Sequence, residues 1–422
     1  MKGRENCMVE SKKRASKGFY GWKVMIGCFV ISMVTLGVVA GTVGQYTVAV
    51  SDDLGIPRGA FSLSITVMNL VICFANILFG FFLKIVRSVR AMMLIGVIGM
   101  AIGFITYAAA TNVFMLCVGG FFLGFLAFDT TAPLSILIAN WFEKKQGTAL
   151  GIVFAGSGVG GVLGSQLVAR WITHHGWRMS YVYSLLLMLV LAIPSLLLIK
   201  NSPRDVSQLP YGAEFVEEKS ETIKIHSLRG VTLREALKLP IFWMVMIVFF
   251  LVGICVAPIN TNVPGHFETI GMDAETIALI ISMIYFVLIF YKIIMGYIND
   301  KLGIKAVVLI ECIAFAASVA FLILSRHVIA GFIFAVLFGI AYTWLTIPQP
   351  LMIKAFFGQK DFVLILGIGI GVMQIAAAVS TTLVAKVYDK TGTYIPAFTF
   401  LIIVMLLVIA LIFIMFNIHK KR

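Results

Sequence analysis

Twelve long apolar segments divide this chain, and they restrict it to one class of fold. They cover residues 22–50, 60–83, 91–110, 113–141, 148–171, 178–199, 240–264, 275–298, 304–325, 328–353, 361–386 and 394–416. A helix needs about 20 mostly apolar residues to cross the hydrocarbon core of a bilayer. The ten-residue alternating segments of a membrane β-barrel are absent, and no open sheet can satisfy its backbone in lipid. The sequence therefore predicts an all-α membrane protein with twelve transmembrane helices. Composition agrees, since 60% of the 422 residues are hydrophobic and 12% are charged, beyond the range of a soluble domain.

The formal net charge is +14, which by itself would fit a nucleic-acid binder. The placement of the charges points elsewhere. No basic face with interleaved aromatics is present; the lysines and arginines sit at the ends of the apolar segments, as membrane topology requires. One side carries only Arg58, Arg170, Arg178, Arg326, Lys386 and Lys390, and Lys292 lies within a segment. All other basic residues fall on the opposite side, with both ends of the chain and the long central loop. The positive-inside bias puts that side in the cytoplasm. The expected location is the cell inner (plasma) membrane, multi-pass, with the lipid bilayer as the principal partner, no nucleic acid, and a monomeric state.

Five parts follow: a cytoplasmic tail over 1–18 that reads as disordered, a first six-helix bundle over 19–199, a charged loop over 200–239, a second six-helix bundle over 240–416, and a short tail over 417–422. A short surface helix is expected at Thr232–Lys238. The two bundles repeat. An offset of 216 carries Gly55 onto Gly271 and Gly80 onto Gly296. With one residue of slack, Gly124 and Pro133 match Gly339 and Pro348, and Trp141-Phe142 match Phe356-Phe357. Parallel six-helix repeats leave such internal symmetry. The cysteines (Cys7, Cys28, Cys73, Cys117, Cys255, Cys312) show no paired spacing and read as small core residues. The first apolar run is too long for a signal-peptide core.

Tyr291–Lys305, YKIIMGYINDKLGIK, holds the most informative local pattern: Gly296, Asp300, Gly303 and Lys305 in the spacing G-x-x-x-D-x-x-G-x-K. This resembles the signature of the major facilitator superfamily, placed between the second and third helix of each half. More narrowly, the chain resembles the bacterial oxalate:formate antiporter and monocarboxylate transporter branch. The residues that carry this likeness are Tyr20-Gly21-Trp22-Lys23, Ala139-Asn140-Trp141-Phe142 followed by Gly147-x-Ala149-x-Gly151, Gly176-Trp177-Arg178, Ser202-Pro203 with Leu209-Pro210-Tyr211-Gly212, and Asp389-x-Thr391-Gly392. The resemblance implies a secondary transporter of a small organic anion working by alternating access, with Gly80, Gly296, Asp300, Gly303 and Lys305 forming gate motifs. Two departures stand out. Lys84 replaces the signature acid after Gly80, so the first gate loop is expected to lack its charge pair. Gln374 falls where an oxalate carrier is expected to hold a second cation, which leaves one fixed cation for one carboxylate.

That cation is Lys292, four residues before Gly296. An ammonium inside hydrocarbon is costly and faces a partner or a water-filled path; the alternatives are a counter-charge for a substrate carboxylate or a lysine that snorkels to the interface. Asp129, in LAFDTTAPL near mid-span, is expected to couple protons or to pair with Lys292, against a purely structural role bonded to Thr130 or Thr131. Glu311 reads as a snorkelling side chain or a structural contact. Gln45 and Tyr46 in the first helix and Asn260 and Asn262 in the seventh occupy related depths and are expected, with Gln374, to line a shared cavity, against simple interhelical bonding. Glycines 156, 158, 160, 161 and 164, mirrored by 367, 369 and 371, read as close-packing sites and not as a dinucleotide fingerprint, because no strand precedes them. His174 and His175 do not read as a metal site. No nucleophile, metal set or phosphate loop is visible, so neither an enzyme nor a cofactor is expected. The reading is a monocarboxylate transporter, by proton symport or anion exchange. A drug or amphiphile exporter and a transport-inactive membrane sensor are the alternatives.

Overall fold

The computed structural model describes residues 19–212, 230–324 and 327–420. The tail over 1–18 and the most charged stretch of the central loop lie outside them. Eleven helices among the described residues are long and apolar enough to cross a membrane. We label them α1 (Gly21–Gln45), α2 (Ala60–Val86), α3 (Val89–Ala108), α4 (Val113–Trp141), α7 (Pro240–Thr269), α8 (Glu275–Leu302), α9 (Ile304–Ile323), α10 (Val328–Leu345), α11 (Phe362–Tyr388) and α12 (Ile395–Ile418). The eleventh, Gln146–Leu198, is 53 residues long and folds back at Gly176, whose φ of 76° and ψ of 163° break the helix. Glycine alone adopts that backbone readily. Its arms, 146–175 and 177–198, are α5 and α6, which makes twelve spans in two halves of six.

An even number of spans returns the chain to one side. Phe19 packs edge-on against Trp141 at the end of α4, and Phe416 of α12 packs against Phe356 with the rings tilted. We call this the terminal end of the molecule and the opposite one the distal end. At the distal end Gly55 and Gly271, matched by the internal repeat, both take left-handed turns, with φ of 61° and 84°.

Packing within each half relies on glycine. A Cβ on Gly160 would collide with the backbone of Met33 in α1, and one on Gly156 with the carbonyl of Phe29. Gly164 sits against Val38. In the second half, Gly369 makes room for Phe249 of α7. Between these rows, Gly158 faces Ile289 of α8 and Gly367 faces Asn76 of α2. The glycine rows of α5 and α11 thus serve two faces, one packed within the half and the other across the interface, as the spacing predicts.

Three helices are irregular where the core narrows. In α1, residues Met33–Val39 form a π-helical stretch, a rare geometry that often marks functional positions. In α4, Gly124–Asp129 tighten to 3₁₀ geometry and Thr130 leaves the helix at φ −105°, ψ −137°. In α10, Thr343–Leu345 do the same, and the helix resumes at Pro348. The surface helix of the central loop spans Leu233–Ala236, capped reciprocally by Thr232 and Glu235, as the Thr-x-x-Glu pattern favours.

At the distal end, Asp53 accepts hydrogen bonds from Arg178 and from the Trp177 indole, the latter at 3.1 Å. Arg178 holds the Asp53 carboxyl below its ordinary value, and Trp177 adds to the effect. A depressed folded-state value stabilises the protein above the unfolded carboxylate value, and that gain is lost as pH falls through the folded one. Arg178→Gln is therefore expected to lower the unfolding temperature at neutral pH, by a gap to wild type that closes in the acid range. A gap that stays constant down to acid pH, in thermal unfolding of purified protein, would show that the pair contributes nothing through charge.

Candidate functional site

The two halves meet along α5 against α8 and along α2 against α11. At the terminal end of the first seam, a Cβ on Gly147 would overlap the carbonyl of Gly296, and one on Gly151 would overlap the carbonyl of Lys292. Nearly three turns further along α5 the fit loosens: a Cβ on Gly161 would lie 3.9 Å from the Tyr285 ring. The helices diverge toward the distal end. This conformation is closed at the terminal end.

Asp300 holds that closure. The first turn of a helix has unpaired N–H groups and a partial positive charge, and α5 carries no side-chain cap of its own. Asp300, at the end of α8, supplies one from the other half. Gly147 N donates to Oδ1 at 2.8 Å, Thr148 N donates to Oδ2 at 2.7 Å, and the Thr148 hydroxyl donates to Oδ2 at 2.6 Å. Gly303 follows with φ 80°, a turn that favours glycine. Lys305 does not join the cap; its ammonium lies 5.0 Å above the Phe413 ring of α12. Lys354, after α10, donates to the Gln146 side chain across the seam.

The second seam corrects one sequence expectation. Lys84, which stands in place of the signature acid, does not leave its gate loop without a charge pair. It lies 3.8 Å from Asp361, the residue that precedes α11. Asp361 also accepts from Leu233 N at 2.8 Å. By the internal repeat Lys84 corresponds to Asp300, and Asp361 sits at the start of α11 as Gly147 does at α5. The charges are inverted: on one seam the acid ends α8 and meets a helix N-terminus, on the other the base ends α2 and meets an acid at a helix N-terminus. Gly80 allows this approach by packing on Leu364 of α11.

Lys292 lies on the α5–α8 seam, 3% exposed. Its ammonium donates to Ser157 Oγ at 2.6 Å and to the Phe154 carbonyl at 3.1 Å, and stands 6.0 Å from the Phe154 ring centre. Ser157 in turn donates to the same carbonyl at 2.9 Å. The side chain therefore turns across to the other half and does not snorkel to the interface. Both partners are neutral, so two of three ammonium donors are engaged and the positive charge is not offset by a carboxylate among the described residues.

The other expected site residues separate. Asp129 does not pair with Lys292. It is fully buried between α4 and α3, where its Oδ2 fills the space above Gly96; its backbone carbonyl accepts from Thr35 of α1 at 3.3 Å. Tyr46 does not line the space between the halves. Its ring stacks on Tyr181 at 3.9 Å and its hydroxyl meets Ser180 and Ser184 of α6 at 3.0 and 3.2 Å. Asn262 is buried and its side chain donates back to the Pro258 carbonyl of its own helix at 2.9 Å, so it too points away from a shared lining. Gln45 is exposed, and Asn260 and Gln374 are half-buried. Sequence reading missed Ser157 and Asp361. Asp361 could have been found from its place at the start of the helix matched to α5; Ser157 lies in a glycine-rich run whose composition signals packing only.

The chain's residues 25–361 match the model of the Major Facilitator Superfamily. Among curated proteins it is similar to the sialic acid transporter NanX of Escherichia coli, 25% identical over 274 residues, which are 63% of this chain and 61% of that protein. The match thus spans less than two thirds of that relative. Two solved structures share the fold at 12% identity. One is the proton:xylose symporter XylE with bound 6-bromo-6-deoxy-D-glucose (TM-score 0.72, 93% of this chain and 95% of that one). The other is the human organic anion transporter MFSD10 (TM-score 0.68, 93% and 99%). Twelve spans in two repeated halves, gate glycines on two seams and a family match over most of the length lead to one conclusion: the chain belongs to the Major Facilitator Superfamily.

Proposed function

We propose that this transporter carries a small organic anion, specifically a monocarboxylate, and that Lys292 reads its charge. One observation carries the reading: a buried ammonium bridges the two halves and has only neutral oxygens around it. A buried cation with neutral partners is costly to keep, and a single carboxylate would balance it. The similarity to a transporter of an acid, NanX, adds support. Terminal-end basic residues favour a cytoplasmic terminal end, so this conformation accepts substrate from the outside of the plasma membrane.

The geometry gives a mechanism for alternating access. A carboxylate that reaches Lys292 from the distal side competes with Ser157 Oγ and the Phe154 carbonyl for the ammonium. Charge-assisted bonds are roughly twice as strong as neutral ones, so the anion wins the lysine. That releases one tie between α5 and α8 and leaves Asp300 and the Lys84–Asp361 pair to open next. The binding event thereby weakens the closure that faces the cytoplasm.

A panel of radiolabelled compounds in proteoliposomes tests the assignment. Saturable uptake of monocarboxylates, with dicarboxylates and neutral or cationic amphiphiles excluded, is the expected result. Transport of amphiphiles alone would make the protein an exporter of the same fold, and transport of nothing on the panel would favour a sensor.

A further inference from the structure

Each half buries one carboxyl group at the same place, from opposite helices. In the first half the acid is Asp129 on α4, lying against Gly96 of α3. The offset of 215 that aligns Gly124 with Gly339 and Pro133 with Pro348 carries Gly96 onto Glu311 of α9 and Asp129 onto Trp344 of α10. The acid has moved from the fourth helix of the first half to the third helix of the second, where it meets Thr343 of α10. Both carboxyls are fully buried, and both stand at the 3₁₀ interruption of a core helix, Gly124–Asp129 or Thr343–Leu345.

At Glu311 the hydrogen bonds count a proton. Thr343 Oγ1 is within bonding distance of two acceptors, Glu311 Oε1 and the Ile340 carbonyl, the latter at 2.6 Å. A hydroxyl has one hydrogen and cannot donate to both. A proton on Glu311 resolves the conflict: Oε1–H donates to Thr343 Oγ1, and Thr343 donates to Ile340 O. Without it, one short contact joins two acceptors, while Glu311 Oε2 has no partner. The only group that acts on this carboxyl through a hydrogen bond is Thr343, and no lysine or arginine among the described residues offsets a charge there; Cys312, next in the chain, is the other titratable neighbour. Further polar contacts gather at the same break. Thr346 donates to the Thr343 carbonyl at 3.3 Å, and Gln349 Nε2 donates to the Leu345 carbonyl at 2.9 Å and lies 3.2 Å from Met373 Sδ of α11.

We propose that Glu311 is a proton-binding site of the transport cycle, the second-half counterpart of Asp129. The Glu311 carboxylate takes one proton from water on one side of the membrane, the proton passes to Oε1, and it leaves to water on the other side as the substrate does. On release, the Thr343 hydroxyl turns its hydrogen from Ile340 O to the carboxylate, and the Ile340 carbonyl gives up that donor. One proton with one carboxylate makes the cargo neutral overall. The coupling half of this proposal rests on the monocarboxylate reading; the proton site itself does not.

Two measurements on the purified full-length protein test it. In infrared difference spectra, wild type minus Glu311→Gln is expected to show one carbonyl band of a protonated carboxylic acid. Gln supplies an N–H to Thr343 in the same place, so the variant is expected to fold. In proteoliposomes with a pH-sensitive dye inside, carboxylate entry is expected to acidify the lumen in wild type, to do so several-fold less in Glu311→Asp, and not at all in Glu311→Gln. Absence of the infrared band overturns the proton site. A band with wild-type acidification in Glu311→Gln also overturns the proposal and makes Glu311 a structural acid. A band in a protein that carries no carboxylate overturns the transport reading and leaves the proton site standing.

Discussion

Lys292→Gln is expected to weaken carboxylate binding by about 30- to 150-fold without lowering the amount of protein in the membrane. At about 4 Å and an effective dielectric near 20, an ammonium and a carboxylate attract by about 4 kcal/mol. Desolvation of both ions offsets part of this, which leaves roughly 2–3 kcal/mol. Lys292 is 3% exposed, so screening by water and salt removes little more. Lys292→Arg retains the charge but replaces a compact ammonium by a planar fork. The ammonium bonds Ser157 Oγ and the Phe154 carbonyl as a compact donor, so partial activity is expected. Equilibrium binding with a labelled carboxylate separates these cases, and wild-type affinity in the Gln variant would mean that the charge is read at another place.

The second large effect is expected at Asp300. Its carboxylate satisfies two backbone N–H groups and one hydroxyl at the start of α5. Charge-assisted bonds to a helix N-terminus are individually worth about 1 kcal/mol or more. Asp300→Asn keeps one carbonyl oxygen and places an NH₂ against N–H donors, so it both removes charge and introduces repulsion. Closure at the terminal end should weaken by roughly tenfold or more. Lys84→Gln removes an ion pair whose lysine is 61% exposed. Such pairs contribute about 0–1 kcal/mol. Asp300→Asn is therefore expected to impair uptake far more than Lys84→Gln. Cysteine labelling at Gln146 from the terminal side reports the open fraction directly. Equal labelling and equal uptake in the two variants would refute the difference between the seams.

Much of the fold could be read from the chain because membrane helices are long and their signals add over about 20 residues. Segment ends, the repeat and the two glycine rows all follow from such sums. Gly176 shows the limit: the polar stretch between residues 171 and 178 marks a break, but not that the loop between the fifth and sixth spans shrinks to one glycine with a non-helical backbone. The breaks at Thr130 and Thr346 were equally hidden, although Pro133 and Pro348 stand just beyond them. In an apolar bundle every residue is apolar in some direction, so periodicity does not say which face looks inward.

The site was legible to a lesser degree for the same reason. Lys292 and Asp300 were found because a charge in an apolar run is conspicuous at a single position. Their partners were not, since Ser157 and Thr148 belong to another helix and carry no charge. Tyr46 illustrates the converse error. Its depth matched Asn262 in the repeat, but depth does not fix direction, and its hydroxyl is taken by Ser180 and Ser184. Lys84 was read as a lost charge pair because the motif was judged within its own loop. The compensating acid, Asp361, lies far away in sequence at the start of a different helix.

The central claim is that Lys292 reads the negative charge of the substrate. The most direct measurement is the ratio of affinities for a carboxylate and its uncharged amide of the same shape, in wild type and in Lys292→Gln. Wild type is expected to prefer the carboxylate by roughly 30-fold or more, and the variant to bind the two compounds about equally. A preference for the carboxylate that survives undiminished in Lys292→Gln would contradict the account.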